Sequence, residues 1–206
     1  MGNYSLSDVN SIYFDVLKEI GNIGAGNATT AISNMLNLRL NMNVPKVQLL
    51  SFPELGSAVG TEEEAIVGIY LEVESDISGS MMFLLRMESA RYLVNHLMGR
   101  DESYNEPFSE MDLSAIKEIG NIIAGSYLSA LASMTGMVIT SSVPYLAIDM
   151  AAAILSVPAI QFGQYGDNAL LIQTEFGDDQ MIDGYFILLP EIDSYEKILS
   201  SLGIQI

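Results

Sequence analysis

Apolar residues recur at helical spacing in two long stretches. They are Ile12, Val16, Ile20 and Ile23 in one, and Leu113, Ile116, Ile119 and Ile123 in the other. Each stretch predicts an amphipathic helix. A segment with a proline follows each, Val44-Pro45 and Val143-Pro144, and then a run that reads as a β-hairpin, residues 66–85 and 171–189. Short helical patterns close both series at residues 88–99 and 193–203. Residues 150–160 predict a further helix or a buried segment ending at Pro158. The polar stretch DESYNEPFSE, ending at residue 110, carries Pro107 and reads as a linker to a helix capped by Ser109 or Asp112.

The two series are copies of one another. Residues 15–26 read DVLKEIGNIGAG and residues 114–125 read SAIKEIGNIIAG, identical at eight of twelve positions with an offset of 99. In the hairpins Gly79 falls on Gly184, an offset of 105, so six residues are expected to be inserted between the proline and the second hairpin. The expected fold is α+β: a pseudo-twofold internal duplication with an antiparallel β-sheet flanked by long helices. One domain, 1–206, is expected from repeats at about 1–103 and 104–206, with a pooled core.

Composition narrows the chemistry. Half of the 206 residues are apolar and 17% are charged, which marks a packed chain despite a net charge of −18. With 8 Lys and Arg against 26 Asp and Glu, nothing supplies the basic surface that nucleic acid or an anionic membrane requires. No apolar run approaches the ~20 residues of a membrane helix, and no cationic signal segment opens the chain, so a cytoplasmic location is expected. The absence of cysteine removes thiolate nucleophiles and thiolate metal sites. His96, the one histidine, sits in an apolar stretch and reads as structural. Glu62-Glu63-Glu64 and Asp178-Asp179 read as solvated loops rather than a cation site, and the 12 methionines as core filler.

Positions i, i+4 and i+7 share one helix face, so Asp15, Glu19 and Asn22 form a polar stripe, repeated as Ser114, Glu118 and Asn121. With apolar residues around much of the remaining circumference, the stripes should face solvent. A carboxamide offers a donor and an acceptor without charge, which suits it to hold a water in line with a phosphoryl group. The carboxylate either takes a proton from that water or pairs with a cation beside a partner's phosphate. The second suits a solvent-facing Glu better, because base work calls for burial. An ordinary wet helix face is the plainer reading of the same residues. The glycines at 21, 24, 26, 120 and 125 serve either helix packing within the protein or close approach of a partner. GNIGAGN lacks the Lys-Ser/Thr of a phosphate loop, and its second copy, GNIIAGS, loses a glycine. A glycosidase pair of Glu19 and Glu118 is disfavoured, since equivalent outer helices hold carboxylates further apart than about 5–9.5 Å.

The doubled pattern resembles the signature of the CheC family of chemotaxis phosphatases: Asp or Ser, three residues, Glu, two residues, Asn, twenty-two residues, Pro. It is matched without a gap by Asp15, Glu19, Asn22, Pro45 and by Ser114, Glu118, Asn121, Pro144. Two full motifs in a chain this short look more like the CheC branch than the single-motif CheX, the longer FliY, or FliM, which lacks the Glu-Asn pairs. The resemblance implies hydrolysis of the aspartyl phosphate of the response regulator CheY. Asn22 and Asn121 would orient water, and Glu19 and Glu118 would pair with the regulator's active-site lysine. Asp15, Ser114, Pro45 and Pro144 would support the helix and turn. No cofactor of its own is implied, and Mg²⁺ would sit on the regulator. The deamidase CheD is a second implied partner, with a contact expected at Asp149. The alternative is a non-catalytic module that docks CheD or a flagellar switch component. One chain presenting both surfaces is expected to be a monomer.

Overall fold

The computed structural model describes residues 11–162, 168–178 and 181–203; Asp179 lies outside them, as does the side chain of Ile12. Both halves run helix, two strands, helix, two strands, helix. The first half is α1 (Ser11–Leu36), β1 (Asn41–Met42), β2 (Lys46–Ser51), α2 (Phe52–Val59), β3 (Ala65–Ser75), β4 (Gly79–Arg86) and α3 (Met87–Leu97). The second is α4 (Glu110–Thr135), β5 (Ile139–Ser141), β6 (Tyr145–Met150), α5 (Ala151–Phe162), β7 (Asn168–Gly177), β8 (Met181–Pro190) and α6 (Ile192–Ser201).

All eight described strands join one sheet in which every pairing is antiparallel, making the fold α+β. The hairpins meet at its centre along β4 and β8. There Met82 stands opposite Ile187, and these are the same position of the two repeats at the offset of 105. The pseudo-twofold axis therefore passes between them. The proline segments are exchanged: β2 of the first half pairs with β7 of the second, and β6 of the second pairs with β3 of the first. Neither half can complete its sheet edge alone.

The six-residue insertion is divided rather than placed before the second hairpin. Val73 faces Gly79 across the first hairpin turn, with five residues between them, while Thr174 faces Gly184 with nine. Four of the six thus lie at the tip of the second hairpin, where pairing continues to Gly177 opposite Met181 and lengthens its strands.

Side chains of the central strands alternate between two cores, as strand geometry requires. Met81, Phe83 and Leu85 join α1, α3, α4 and α6 on one face, whereas Met82 and Leu84 join α2 and α5 on the other. Both faces are covered, which explains why these strands read as unbroken apolar runs. The helix α5 runs through Pro158 rather than ending there.

The long helices end as their sequences direct. Ser109 and Asp112 form a reciprocal capping box at the start of α4, with Ser109 as the cap and Asp112 as its partner. At the other end Gly136 takes a left-handed conformation, and Asn37 does the same after α1 at the equivalent position. The linker is strapped down. Asn95, buried in α3, donates to the carbonyl of Tyr104 at 2.9 Å, and Arg91 donates to that of Glu106 at 2.6 Å. Arg100 Nη2 lies 2.8 Å from Oδ1 of Asp112, a carboxylate only 2% exposed.

Candidate functional site

Each stripe lies outermost on its helix because the opposite side is committed to the core. Leu17, Ile20, Ile116 and Ile119 are buried. Asp15, Glu19, Ser114, Glu118 and Asn121 are exposed, and Asn22 is half-buried. Among the described residues Glu19, Asn22, Glu118 and Asn121 make no hydrogen bond or ion pair, so their polar atoms are free for water or a partner. The two stripes differ at their first position. Asp15 lies 3.7 Å from Lys18 Nζ, whereas Ser114 donates back to the Glu110 carbonyl at 2.9 Å.

Pro45 is buried and Pro144 half-buried, each directly before an exchanged strand. A proline there forfeits no ladder hydrogen bond and breaks β1 from β2, and β5 from β6. The valines before them, Val44 and Val143, are each 81% exposed.

The helix glycines fall into three kinds. Gly21 and Gly120 let the helices sit on the sheet: a Cβ at Gly120 would lie 2.4 Å from Ile69 Cδ1, and one at Gly21 would lie 3.1 Å from Val47 Cγ2. Gly24 lets α1 approach α4, with a Cβ there 2.4 Å from Tyr127 Cδ1. Gly26 and Gly125 meet nothing within 4 Å. Internal packing thus explains three of the five.

The repeats depart from each other where Gly24 stands against Ile123 and Ala28 against Tyr127. These departures meet at one crossing. Tyr127 fills the space over Gly24, stacks on Phe186 at 4.0 Å between ring centres, and shares a 2.9 Å hydrogen bond with Thr174 Oγ1. Burial pushes its hydroxyl up to about 12, which keeps it neutral. Sequence reasoning missed this lock, although the paired departures were its signal.

The other candidates lie apart from the stripes in the sequence and the fold. Asp149 is exposed on β6, a strand at the sheet edge, and its Oδ1 accepts from the Met150 N–H at 2.8 Å. His96 lies on α3 with its ring 4.2 Å from that of Tyr92 and Nε2 3.5 Å from Glu102, a structural setting. Asp178 is no solvated loop residue: half-buried, it accepts the Tyr92 hydroxyl at 2.6 Å. Among the described residues no helix is long and apolar enough to cross a membrane.

The stripes offer a free carboxamide and a free carboxylate per helix, half a turn to a turn apart on one outer face. Such a pair can orient water and meet a cation.

The model of the CheC-like family matches residues 14–49 and 111–148, the two motif helices with their proline segments. The CheY-P phosphatase CheC of Bacillus subtilis (strain 168) is 37% identical over 194 residues, 92% of this chain and 93% of its own. FliY of Thermotoga maritima superposes with a TM-score of 0.74 at 22% identity, covering 95% of this chain and 98% of that one. CheX of Borrelia burgdorferi, solved with CheY, beryllofluoride and Mg²⁺, superposes with a TM-score of 0.50 at 17% identity, over 82% and 96%. The two structures share the fold, and the extent and identity of the Bacillus match settle the family: this chain belongs to the CheC-like family.

Proposed function

We propose that this protein hydrolyses the aspartyl phosphate of a CheY-type response regulator, using both outer stripes. One observation carries the reading. In each half the motif's Glu and Asn face outward with no partner among the described residues, on the helices matched to a family whose Bacillus member is a CheY-P phosphatase.

An aspartyl phosphate is an activated acyl phosphate, so the helper needs position more than chemistry. Asn22 or Asn121 accepts from and donates to a water, holding it in line with the regulator's phosphorus. Glu19 or Glu118 pairs with the lysine beside that phosphate, anchoring the helix. Its exposure suits this role over proton abstraction. The charge on the phosphoryl oxygens is met by Mg²⁺ held on the regulator, and no metal is asked of this chain. The exposed edge strand around Asp149 is a second proposed surface, for CheD, on resemblance alone.

The test follows decay of the phosphorylated regulator with parent, Asn22→Ala, Asn121→Ala and the double variant. The double variant should lose on the order of 10²-fold in rate, the scale of removing one preorganised donor. A double variant as fast as the parent refutes the assignment. The single variants report how the two sites divide the work.

A further inference from the structure

Glycine is the poorest helix former after proline, and Gly26 and Gly125 lie inside 26-residue helices. Nothing in the fold requires them. Neither takes a left-handed φ, and a Cβ on either would meet open space. Their neighbours Gly21, Gly24 and Gly120 are each explained by a side chain that a Cβ would strike. The two unexplained glycines are the same repeat position, 26 and 125 at the offset of 99. That position stayed glycine in both copies while Gly24/Ile123 and Ala28/Tyr127 diverged.

Their place on the helix supplies the reason. At about 100° per residue, positions 15, 19, 22 and 26 fall within an arc of about 60°, with 26 near its centre. The same holds for 114, 118, 121 and 125. Each glycine therefore continues the polar stripe one turn beyond the asparagine as bare backbone, Gly125 exposed and Gly26 half-buried.

We propose that Gly26 and Gly125 are positioning residues for dephosphorylation, each leaving a one-residue gap in the side-chain cover of its stripe for the regulator's backbone to rest against. The inference rests on the function proposed above. A docking partner that must bring an acyl phosphate up to Asn22 or Asn121 has to lie close along this face. A methyl group there holds the partner's backbone off by about 1 Å, which loosens the contact along the whole stripe and weakens docking. The cost is met at the partner interface and not within the fold.

The test compares the parent, G26A/G125A, G26L/G125L and N22A/N121A. For each, regulator decay is measured against regulator concentration, with affinity for the beryllofluoride-activated regulator and the thermal midpoint. G26A/G125A should melt on the order of 5 °C higher than the parent, because alanine favours the helix. Its KM and its Kd for the activated regulator should nevertheless rise at least tenfold, and the leucine pair should rise further. A merely structural glycine would move the midpoint and leave KM and Kd alone, and that result overturns the inference while leaving N22A/N121A inactive and the phosphatase reading intact. An active N22A/N121A sinks the asparagine mechanism, and raised KM and Kd in the glycine variants would still sustain the docking role. A parent that neither binds the regulator nor speeds its decay overturns both.

Discussion

Gly24→Ala tests the lock between the long helices. An ideal Cβ at residue 24 lies 2.4 Å from Tyr127 Cδ1 and 2.9 Å from both Cε1 and Cγ, well inside contact distance. The ring is held by its partners, although two small apolar cavities of about 30 and 10 Å³ adjoin it. It is 4% exposed, stacked at an interplanar angle of 11° on Phe186, and tethered through its hydroxyl to Thr174. Alanine gains about 1 kcal/mol in helix propensity over glycine. Against that stand about 1–3 kcal/mol of overpacking, a ring stack worth about 0.5–1.5 kcal/mol, and a buried hydroxyl at risk of losing its partner at about 1–3 kcal/mol. Overpacking that also disturbs the stack and the hydrogen bond leaves a net destabilisation of about 2 kcal/mol. Gly26→Ala, two residues along the same helix, meets open space and should stabilise by about 1 kcal/mol. Urea unfolding of both variants, read by tyrosine fluorescence and circular dichroism, measures the difference. The same substitution on one helix should change sign over two positions. A Gly24→Ala protein as stable as the parent would refute the lock.

Two further outcomes follow from the electrostatics. Asp112 is held below the ordinary carboxyl value of 3.8, first by the Arg100 guanidinium and then by the Ser109 cap, against a burial effect that raises it. A depressed folded-state value stabilises the fold above the unfolded carboxyl's range, and that contribution is lost as pH falls through the folded value. Denaturant titrations should therefore show stability declining below about pH 4, with a shallower decline in Asp112→Asn. The second outcome concerns docking. A net charge of −18 gives no long-range attraction to a phosphorylated, negatively charged regulator. Raising salt from low to moderate should leave the affinity nearly level, and a steep loss in a salt titration would contradict this.

What could be read from the residues alone follows from which interactions are local. The repeat, the long helices and the cap at Ser109 depend on neighbours within a turn or two, and motif spacing exposed them. The same spacing put Glu19, Asn22, Glu118 and Asn121 on outer faces, because the apolar positions between them leave those arcs unburied. The segment FPELGSAV, with its proline and glycine, hid α2, a helix its own composition supports weakly. Partner choice in the sheet was hidden for a different reason. Alternation tells a strand which faces it has, not whose hairpin it joins, so the exchange of β2 and β6 left no local trace.

That exchange bears on the site itself. Gly21, beside Asn22, rests against Val47 of its own proline strand and Ile172 of the other half's hairpin, while Gly120, beside Asn121, rests against Ile69 of the first half. The seat of α4 beside Asn121 thus belongs to the opposite repeat, and the seat of α1 beside Asn22 is shared between the two repeats. A mutation at Ile69 in the first hairpin would therefore be felt at the second half's stripe, beside Asn121. The duplication gives two equivalent stripes, but the interleaved sheet means that neither helix is seated by its own half alone.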